Sequence, residues 1–513
     1  MGAASLVHLL HTTAQLPGHA RFVRAMEDVE SVQRQVLGEL LAASERTEFG
    51  SGHGLSRSWS AEDVASRLPV TTWTDWEAWV KRQQAQPTGH VLCAGCRRFE
   101  PTSGSTAQRK WIPYPAAQLA QFDRASSPWL YDLARLHPGI LRGRHYWSLS
   151  WLPDELRNTG TGARQAGDDL QLLPWWKRRL LSAVMAVTQD VARLSSVDDT
   201  MFETVVRLAS ASDLSVISVW SPTFGIEVLR RLARERERVA ERLSRGGLPV
   251  RAGLLRSWDG TLDASFFREL WPDLSLVSAW DTGSSAGWAR SLAALLPQAA
   301  FQGKGVWATE GVVTIPFRGR YPLAVRSHFY EFRCLSSGRF LPAWRLELGM
   351  EVQPILSTGS GFWRYALEDR LEVTDFLGPT PCLRFVSRLS GTDLVGEKLD
   401  AGIVSRILED VQREIPIQCV SLLARPGAGD GTGLPHYVLL AGGKPELTLA
   451  AAEAVERHLA AVHHYGLARQ LHQLGPASAL VLEDPLPEYF RRTGGDAASG
   501  SRKIEPVVRW KEP

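Results

Sequence analysis

The chain has 513 residues, of which 44% are hydrophobic and 22% charged, so it has enough apolar material for a large core. This length corresponds to roughly three average domains, or to one large domain and a smaller one. Lys and Arg (58) exceed Asp and Glu (55) by only three, a net charge of +3. Such a small excess argues against a nucleic-acid or membrane-surface partner. We therefore expect a small-molecule partner.

Cysteine usage and the N-terminal sequence predict a cytoplasmic protein. The five cysteines are scattered and odd in number, which does not suggest a disulfide framework. Cys93 and Cys96 form a CxxC pair, but a tetrahedral zinc site needs a second pair of ligands, and none follows nearby. The first residues do not resemble a signal peptide, and the sequence lacks an apolar run long enough for a membrane span.

The predicted elements of the first part of the chain alternate between strands and helices. Helical spacing of apolar residues predicts one amphipathic helix over 20–48. A strand over 91–99 is predicted to lead into a Gly/Ser/Thr loop, 101–107. Further predictions are strands at Leu214–Val219, Leu274–Ala279 and Val312–Phe317, and helices at Phe224–Arg245 and Trp288–Leu296. This alternation indicates a large α/β domain, which we place at residues 1–387.

The pattern changes after about Arg388, where helices and short strands interleave differently. The predicted order is a helix over Ile403–Arg413, strands at Cys419–Leu423 and His436–Leu440, and a helix over Leu449–His463. This order predicts a separate α+β domain at residues 388–513.

The first segment that could carry chemistry is the loop that contains Ser103, Gly104, Ser105 and Thr106. Small hydroxyl residues and a glycine allow backbone N–H groups to point at phosphate oxygens, and the hydroxyl groups complete the cradle. The GxxxxGK[ST] pattern of a Walker A loop is absent. An ordinary turn has the same composition, so the loop alone does not establish a phosphate site.

Two later segments carry acidic residues that suit a nucleotide site. Glu310 could bind Mg²⁺ beside phosphates, because this ion takes few protein ligands and keeps several waters. Trp307, three residues earlier, could stack on a purine or belong to the core. Asp369 could accept hydrogen bonds from both hydroxyls of a ribose, as acidic residues do in other nucleotide sites.

Together and in this order, these segments resemble the ANL-type adenylating enzymes. Within them the chain resembles the auxin-responsive (Gretchen Hagen) family of acyl acid amido synthetases, especially its bacterial members. The blocks that carry the resemblance are Thr47–Gly50, Pro101–Ser105, Val219–Pro222, Phe301–Gly305, Phe329–Phe332, Asp393–Leu399 and Gln473–Pro476. The resemblance as a whole covers most of the chain, from about residue 20 to the end.

The resemblance implies an α/β fold with a large adenylate-forming N-terminal domain and a smaller, mobile α+β C-terminal domain. It implies activation of a carboxylic acid by ATP and Mg²⁺ to an acyl-adenylate, which an amine, often an amino acid, converts to an amide. The resemblance also assigns roles to residues. It implies that Ser103, Gly104, Ser105 and Thr106 hold phosphates, that Lys503 approaches these phosphates, and that Glu310 holds Mg²⁺. It further implies that Trp307 lies at the adenine, that Asp369 accepts hydrogen bonds from the ribose hydroxyls, and that Arg388 marks the junction of the domains.

Two positions depart from the family pattern. Ala107 stands where the family has a glycine after the Ser/Thr run, and Glu368 replaces the glycine before the acidic residue. A side chain at either position would add strain of about 1 kcal/mol or more if the backbone there needs a positive φ. These departures motivate an alternative, a relative that binds a nucleotide or an acyl ligand without turnover.

Two further enzyme classes stay open at this stage. An acyl-CoA ligase uses the same adenylation step with a different acceptor. The sequence around Ser285 satisfies G-x-S-x-G between a predicted strand and helix, so Ser285 could be the nucleophile of a serine hydrolase. The 19 Trp residues are compatible with an aromatic acyl pocket and equally with core packing.

Overall fold

A computed structural model describes residues 3–102, 110–148, 175–194, 196–389, 401–427, 433–493 and 504–510, with residues 392, 394, 395, 397 and 399 between them. Several predicted site residues lie outside the described residues, so their roles stay predictions. They are Ser103, Gly104, Ser105, Thr106, Ala107 and Lys503.

Helices open the chain. They are α1 (Ala3–Ala25), α2 (Val29–Ser44), α3 (Glu48–Gly52), α4 (Ala61–Arg67) and α5 (Trp73–Ala85). The prediction of one continuous helix over 20–48 is wrong, because Asp28 starts a new helix. Its carboxylate accepts a hydrogen bond from the backbone N of Ser31 at 3.1 Å. An Asp in this position satisfies an N–H group that the first helical turn leaves without a partner.

A short hairpin frames the Gly/Ser/Thr segment. Strand β1 (Phe99–Pro101) pairs antiparallel with β2 (Trp111–Pro113), and the backbone N of Thr102 donates to the carbonyl of Lys110 at 2.9 Å. The prediction of a strand over 91–99 is therefore wrong for most of its length. Gly95 has φ = 70°, a left-handed conformation that interrupts an extended strand in this segment.

A parallel sheet of β3 (Arg144–Trp147), β4 (Leu214–Ser218), β5 (Leu276–Ser278) and β6 (Ala300–Gln302) follows, in that spatial order. The helices of this region are α6 (Ala116–Leu136), α7 (Trp175–Ser182), α8 (Val197–Ser210), α9 (Pro222–Arg234), α10 (Arg236–Arg245), α11 (Pro249–Ser257), α12 (Ala264–Leu270) and α13 (Ala286–Leu295). Parallel strands with intervening helices confirm the predicted α/β class. The predicted single helix at Phe224–Arg245 is divided at Glu235.

An antiparallel sheet follows that no pattern in the sequence predicts. Its strands are β7 (Phe329–Cys334), β8 (Phe340–Pro342), β9 (Glu351–Ser357), β10 (Tyr365–Ala366), β11 (Asp369–Leu377) and β12 (Thr380–Arg388). Their order is β12-β11-β9-β7-β8, and β10 pairs with β9. The predicted strand at Val312–Phe317 is wrong, because this segment forms only isolated bridges. One buried core includes residues of both sheets, among them Val216, Leu276, Tyr330 and Leu356.

The last part of the chain has its own hydrophobic core. It contains α14 (Ala401–Glu414), β13 (Gln418–Arg425), β14 (His436–Gly442), α15 (Pro445–Ala460), α16 (His463–Gln470), β15 (Ser478–Leu482), α17 (Pro485–Thr493) and β16 (Val507–Arg509). Strands β13 and β14 are antiparallel, and the outer strands β15 and β16 add in parallel. The predicted smaller α+β domain is thus confirmed as a fold.

The chain divides into two compact units. One comprises Met1–Asp281, Trp288–Leu367 and Leu371–Phe385, and the other Thr282–Gly287, Glu368–Arg370 and Val386–Pro513. We call them the large and the small unit. The domain boundary at residue 388 stays a prediction. Among the described helices, none combines the length and the apolar character that a membrane span requires.

Candidate active site

Glu310 lies at the tip of a tight turn in the large unit. Trp307 and Val312 form an antiparallel bridge, and the backbones of Ala308 and Gly311 bond to each other, at 2.9 Å and 3.2 Å. This arrangement leaves Thr309 and Glu310 as the two central residues. A short hydrogen-bonded turn fixes the direction of its central residues, so the sequence around Glu310 holds the carboxylate in a defined place.

The Glu310 side chain is buried, at 8% exposure, and belongs to a short polar chain. The hydroxyl of Tyr365 donates to its Oε1 at 3.3 Å. The ammonium of Lys110 in turn donates to that hydroxyl at 3.5 Å. Lys110 lies three positions after the predicted phosphate loop, 101–107, and the structure places this lysine in one cluster with the predicted Mg²⁺ ligand.

Helix α6 holds the backbone of the turn. The amide of Gln118 donates to the carbonyl of Glu310 at 3.0 Å, and the hydroxyl of Tyr114, just before the helix, donates to the carbonyl of Thr309 at 2.7 Å. The other amide atom of Gln118, Oε1, is buried and accepts no hydrogen bond among the described residues. Neither residue is predictable from the sequence, because nothing in the local pattern signals a contact across about 190 positions.

His328 supports the same turn from the other side. Its Nε2 accepts a hydrogen bond from the backbone N of Val312 at 3.1 Å, so Nδ1 carries the proton and donates to Oε1 of Gln121 at 2.8 Å. Burial lowers the pKa of His328 to about 3, so the ring is neutral at pH 7. The histidine thus acts as a fixed spacer. A Cβ on Gly311 would lie 2.8 Å from its Nε2, which requires glycine there.

Trp307 is half-buried in a cluster of aromatic rings. Its ring centroid lies 5.6 Å from Trp129, 6.0 Å from Phe122 and 6.2 Å from Trp220. Lys304 is buried beside this cluster, with its ammonium 4.8 Å from the centroid of Trp220. The same ammonium donates to Oγ of Ser218 at 2.6 Å. These contacts join Trp307 to the apolar part of the large unit, so both sequence interpretations of Trp307 stay open.

A buried ion pair holds the segment before Tyr365. Arg364 donates two hydrogen bonds to Glu331, at 2.9 Å and 3.0 Å, and further bonds to the carbonyls of Ala65 and Leu68. Arg364 has φ = 49°, an unfavourable conformation for a side chain of this size. The bidentate ion pair and the backbone bonds therefore hold a strained residue in place next to Tyr365.

Asp369 and Arg388 meet in the small unit. Nε of Arg388 lies 3.2 Å from Oδ1 of Asp369, which is buried, and Nη1 lies 3.9 Å from Oε2 of Glu368. Oδ1 of Asp369 accepts no hydrogen bond with good geometry among the described residues. The structure thus brings together two predicted site residues that are 19 positions apart. Glu310 and Trp307 lie in the large unit, whereas Asp369 and Arg388 lie in the small one.

The departure at Glu368 does not strain the backbone. The described residues with a positive φ other than glycine are Arg318, Arg364 and His472, so Glu368 is outside this conformation. The expected penalty therefore does not apply at this position.

Ser285, the nucleophile of the hydrolase alternative, is buried in a 3₁₀ turn, Gly283–Ser285. Among the described residues, its hydroxyl makes no hydrogen bond to a histidine, so no pair for nucleophilic catalysis is formed there.

Comparison with known proteins identifies two family domains. The GH3 family N-terminal domain matches residues 18–301, and the GH3 family central domain matches residues 321–388. The chain is 22% identical over 463 residues to indole-3-acetic acid-amido synthetase GH3.8 of Oryza sativa subsp. indica, covering 82% of this chain and 76% of that protein. It is 20% identical over 475 residues to indole-3-acetic acid-amido synthetase GH3.2 of Arabidopsis thaliana, covering 82% and 85%.

The fold is similar to a solved structure along almost the whole chain. The structure of AtGH3.15 acyl acid amido synthetase in complex with 2,4-DB has a TM-score of 0.80 at 16% identity, and the match covers 97% of this chain and 94% of that one. This likeness shows the fold, including a large N-terminal and a smaller C-terminal part. Because the family models together match more than half of the residues, this chain belongs to the GH3 family.

Proposed function

We propose that this protein activates a carboxylic acid with ATP and transfers the acyl group to the amine of an amino acid. The observation that carries the proposal is the match to both the N-terminal and the central domain of the GH3 family. The two relatives compared above are named amido synthetases, which sets the reaction class. The cluster of Glu310, Tyr365 and Lys110 supports it, because a buried carboxylate beside a cation suits a site for Mg·ATP.

The reaction consists of two substitutions. An oxygen of the acid attacks the α-phosphorus of ATP, the bond from that phosphorus to the bridging oxygen breaks, and pyrophosphate leaves. The amine nitrogen then attacks the acyl carbon, the bond to the AMP oxygen breaks, and the amine loses a proton. Neither step requires a covalent bond to the protein, so orientation and charge neutralisation are the main tasks of the residues.

Each predicted site residue has a proposed role in this reaction. Trp307 would lie at the adenine, Asp369 would accept the ribose hydroxyls, and Arg388 would orient Asp369. The buried Oδ1 of Asp369 suits this role, because it accepts no hydrogen bond with good geometry among the described residues. The remaining roles follow the resemblance: Ser103, Gly104, Ser105 and Thr106 would bind phosphates, and Lys503 would approach these phosphates.

Mg²⁺ fits the residues at the turn. Glu310 offers one buried carboxylate, and Oε1 of Gln118, on the side chain that holds the Glu310 carbonyl, accepts no hydrogen bond among the described residues. Hard oxygen donors in small number are what Mg²⁺ uses beside phosphates and water. When bound, the ion would neutralise charge on the phosphates. Tyr365 and Lys110 would hold the carboxylate in place.

ATP–pyrophosphate exchange with a panel of carboxylic acids tests the proposal. We expect exchange with at least one acid in the wild type, and a loss of about 100-fold or more in Glu310→Gln, since even groups that only orient a metal ligand change activity by up to about this factor. Glu347→Gln is the matched control, because Glu347 is exposed. Product analysis by mass spectrometry with mixed amino acids, and separately with CoA, then identifies the acceptor.

Each negative outcome points to one alternative. ATP binding without exchange for any acid would contradict the proposal and favour a binding protein without turnover. Exchange followed by a thioester with CoA, and no amide with any amino acid, would identify an acyl-CoA ligase instead.

A further inference from the structure

A second feature of the large unit lies at the carboxyl ends of strands β4 and β5. There a cavity of about 30 Å³ is enclosed mainly by apolar side chains, including Trp129 and Leu133 of α6. Its polar lining residues are His8, His11, Thr12, His145, Ser218 and Ser278. We call it the histidine cavity. The carboxyl ends of parallel strands are where open α/β sheets bind ligands, so the position itself favours a binding role.

Two buried polar atoms on the lining residues have no hydrogen-bond partner in the described part of the chain. Nε2 of His145 lies 2.8 Å from the carbonyl oxygen of Ile140. Because a carbonyl oxygen can only accept, Nε2 carries the proton and donates it, which leaves Nδ1 as an acceptor. This Nδ1 and Oγ of Ser278 are both buried without a partner. A buried polar group without a hydrogen bond is unfavourable, so both atoms favour a ligand that supplies one.

The histidine cavity is neutral. Burial lowers the pKa of His145 to about 3 and also lowers the pKa of His8. Its described lining residues include no Asp, Glu, Lys or Arg. Two ammonium groups lie outside the lining: that of Lys304 donates to Oγ of Ser218 at 2.6 Å, and that of Lys177 donates to Oδ1 of Asp123 at 2.6 Å. A charged group would lose its hydration in this cavity, and a cation would also be repelled by both ammonium groups.

Trp129 connects the lining of the histidine cavity to the aromatic cluster around Trp307. This residue lines the cavity, and its ring centroid lies 5.6 Å from that of Trp307, three positions before Glu310. A cavity of this volume has room for about two or three water-sized groups. His8 and His11 belong to α1 and precede residue 18, where the family model begins, so part of the lining is outside the family match.

We propose that the histidine cavity receives the far end of the acyl group and selects acids that end in a small neutral hydrogen-bonding group, such as a hydroxyl. This inference rests on the proposed function, because it names the class of acid that the enzyme activates. The main body of the acid would then be apolar, in keeping with the aromatic rings between the cavity and Glu310. A hydroxyl would donate to Nδ1 of His145 and accept from Ser278.

Acids that differ only at the far end provide the test. We compare linear alkanoic acids of increasing length with their ω-hydroxy, ω-carboxy and ω-amino counterparts in ATP–pyrophosphate exchange. At the best length, kcat/KM for the ω-hydroxy acid should exceed that of the methyl-ended acid about tenfold, the factor of one net hydrogen bond. The ω-carboxy and ω-amino acids should be poorer than both. A preference for either charged end, or no preference at any length, would overturn the inference.

Variants test whether the residues of the histidine cavity cause the preference for a hydroxyl at the far end of the acid. Ser278→Ala should remove most of the preference for the hydroxyl, and Ala134→Leu, which fills the cavity, should reduce kcat/KM for long acids and leave short acids unchanged. Ser215→Ala is the control: this serine is buried on β4 but its hydroxyl already donates to the carbonyls of Ile140 and Arg144, and it does not line the cavity. Thermal unfolding confirms that each variant is folded. An unchanged acid profile in Ala134→Leu would contradict the inference.

Binding without ATP separates this inference from the proposed function. Quenching of tryptophan fluorescence reports binding of each acid, because Trp129 and Trp147 line the cavity. If the enzyme catalyses exchange but does not distinguish acids by their terminal group, the inference about the cavity fails and the proposed function stands. If no acid supports exchange, the proposed function fails. In that case, quenching that is stronger for hydroxyl-ended acids and disappears in Ala134→Leu would still identify the cavity as a binding site. Quenching that is absent, or equal for all acids, would contradict that assignment as well.

Discussion

At the scale of single residues, the position of the Glu310 carboxylate depends on groups that are distant in sequence. Gln118 and Tyr114 hold the backbone of the turn, His328 spaces it from the core, and Tyr365 contacts the carboxylate itself. A carboxylate held by its surroundings before substrate binds requires less reorganisation during the reaction. These neighbours are therefore positioning residues for the proposed Mg²⁺ contact.

Replacing Tyr365 with Phe tests this positioning. The change removes the hydroxyl that links Lys110 to Glu310 and retains the buried ring. We expect the Mg²⁺ concentration for half-maximal exchange to rise about tenfold, the lower end of the effect of groups that orient a metal ligand. Tyr131→Phe is a control with the same chemical change outside this cluster. An unchanged Mg²⁺ dependence would show that the hydroxyl does not position Glu310.

His328 gives the fold a measurable pH dependence. Its pKa in the folded protein is lowered from 6.5 to about 3, so below pH 6.5 the unfolded chain binds a proton that the folded chain does not. The contribution is fully present above pH 6.5 and is lost as pH falls toward about 3, at up to about 1.4 kcal/mol per pH unit. We expect His328→Gln to have a smaller loss of unfolding free energy between pH 6.5 and pH 4 than the wild type.

Urea unfolding at several pH values measures this difference. His90→Gln is the control, because it removes a histidine that is already exposed in the folded protein. The same slope in His328→Gln and in the wild type would contradict a neutral buried ring at this position.

At the scale of elements, the buried ion pair between Arg364 and Glu331 connects β7 to the residue that precedes β10. Both side chains are nearly inaccessible, with 5% and 7% exposure, and burial raises the pKa of Glu331 while the guanidinium opposes the shift. Removing one partner leaves a buried charge without compensation, which destabilises proteins by about 3–5 kcal/mol.

Glu331→Gln should therefore lower the unfolding free energy by about 3 kcal/mol. The exposed pair of Arg384 and Glu372, at 2.6 Å, provides the comparison, and Glu372→Gln should lower it by at most about 1 kcal/mol because solvent screens this pair. Urea titration gives both values. Equal losses in the two variants would show that the buried pair does not stabilise the junction between β7 and β10.

The sequence could predict the elements whose pattern is local. The strand at Leu214–Ser218 and the helix at Ala401–Glu414 follow directly from an apolar run and from helical spacing. The breaks at Asp28 and Glu235 were missed because apolar spacing continues across them. The antiparallel sheet was missed because its pairing, such as Tyr330 with Leu356, depends on contacts that a single sequence does not encode locally.

The same distinction between local sequence patterns and contacts over long distances in the chain applies to the site residues. Glu310, Trp307, Asp369 and Arg388 were predicted because they stand in short motifs that resemble a family. Gln118, Tyr365 and His328 make contacts over 192, 55 and 16 positions, and their residue types alone do not signal a site. His328 in particular resembles any buried histidine until its bond to Val312 is known.

At the scale of the whole molecule, each of the two compact units contains a carboxylate with a proposed role. Asp369 belongs to the small unit and Glu310 to the large one. If Asp369 takes the ribose, Asp369→Asn should raise the KM for ATP about tenfold, the effect of losing one hydrogen bond to a charged group, and leave the KM for the acid unchanged. Glu372→Asn, on the same strand but at a more exposed carboxylate, is the control. A change in the KM for the acid alone would assign Asp369 to a different subsite.

The chemistry that this account attributes to the molecule is formation of a mixed anhydride between the acid and AMP. An acid labelled with ¹⁸O in its carboxyl group tests it directly, by mass spectrometry of the nucleotide products after amide formation. The account predicts that AMP gains one labelled oxygen, because the attacking oxygen stays on the α-phosphorus when the amine displaces AMP. Label in inorganic phosphate together with ADP would show attack at the γ-phosphorus and would contradict the account.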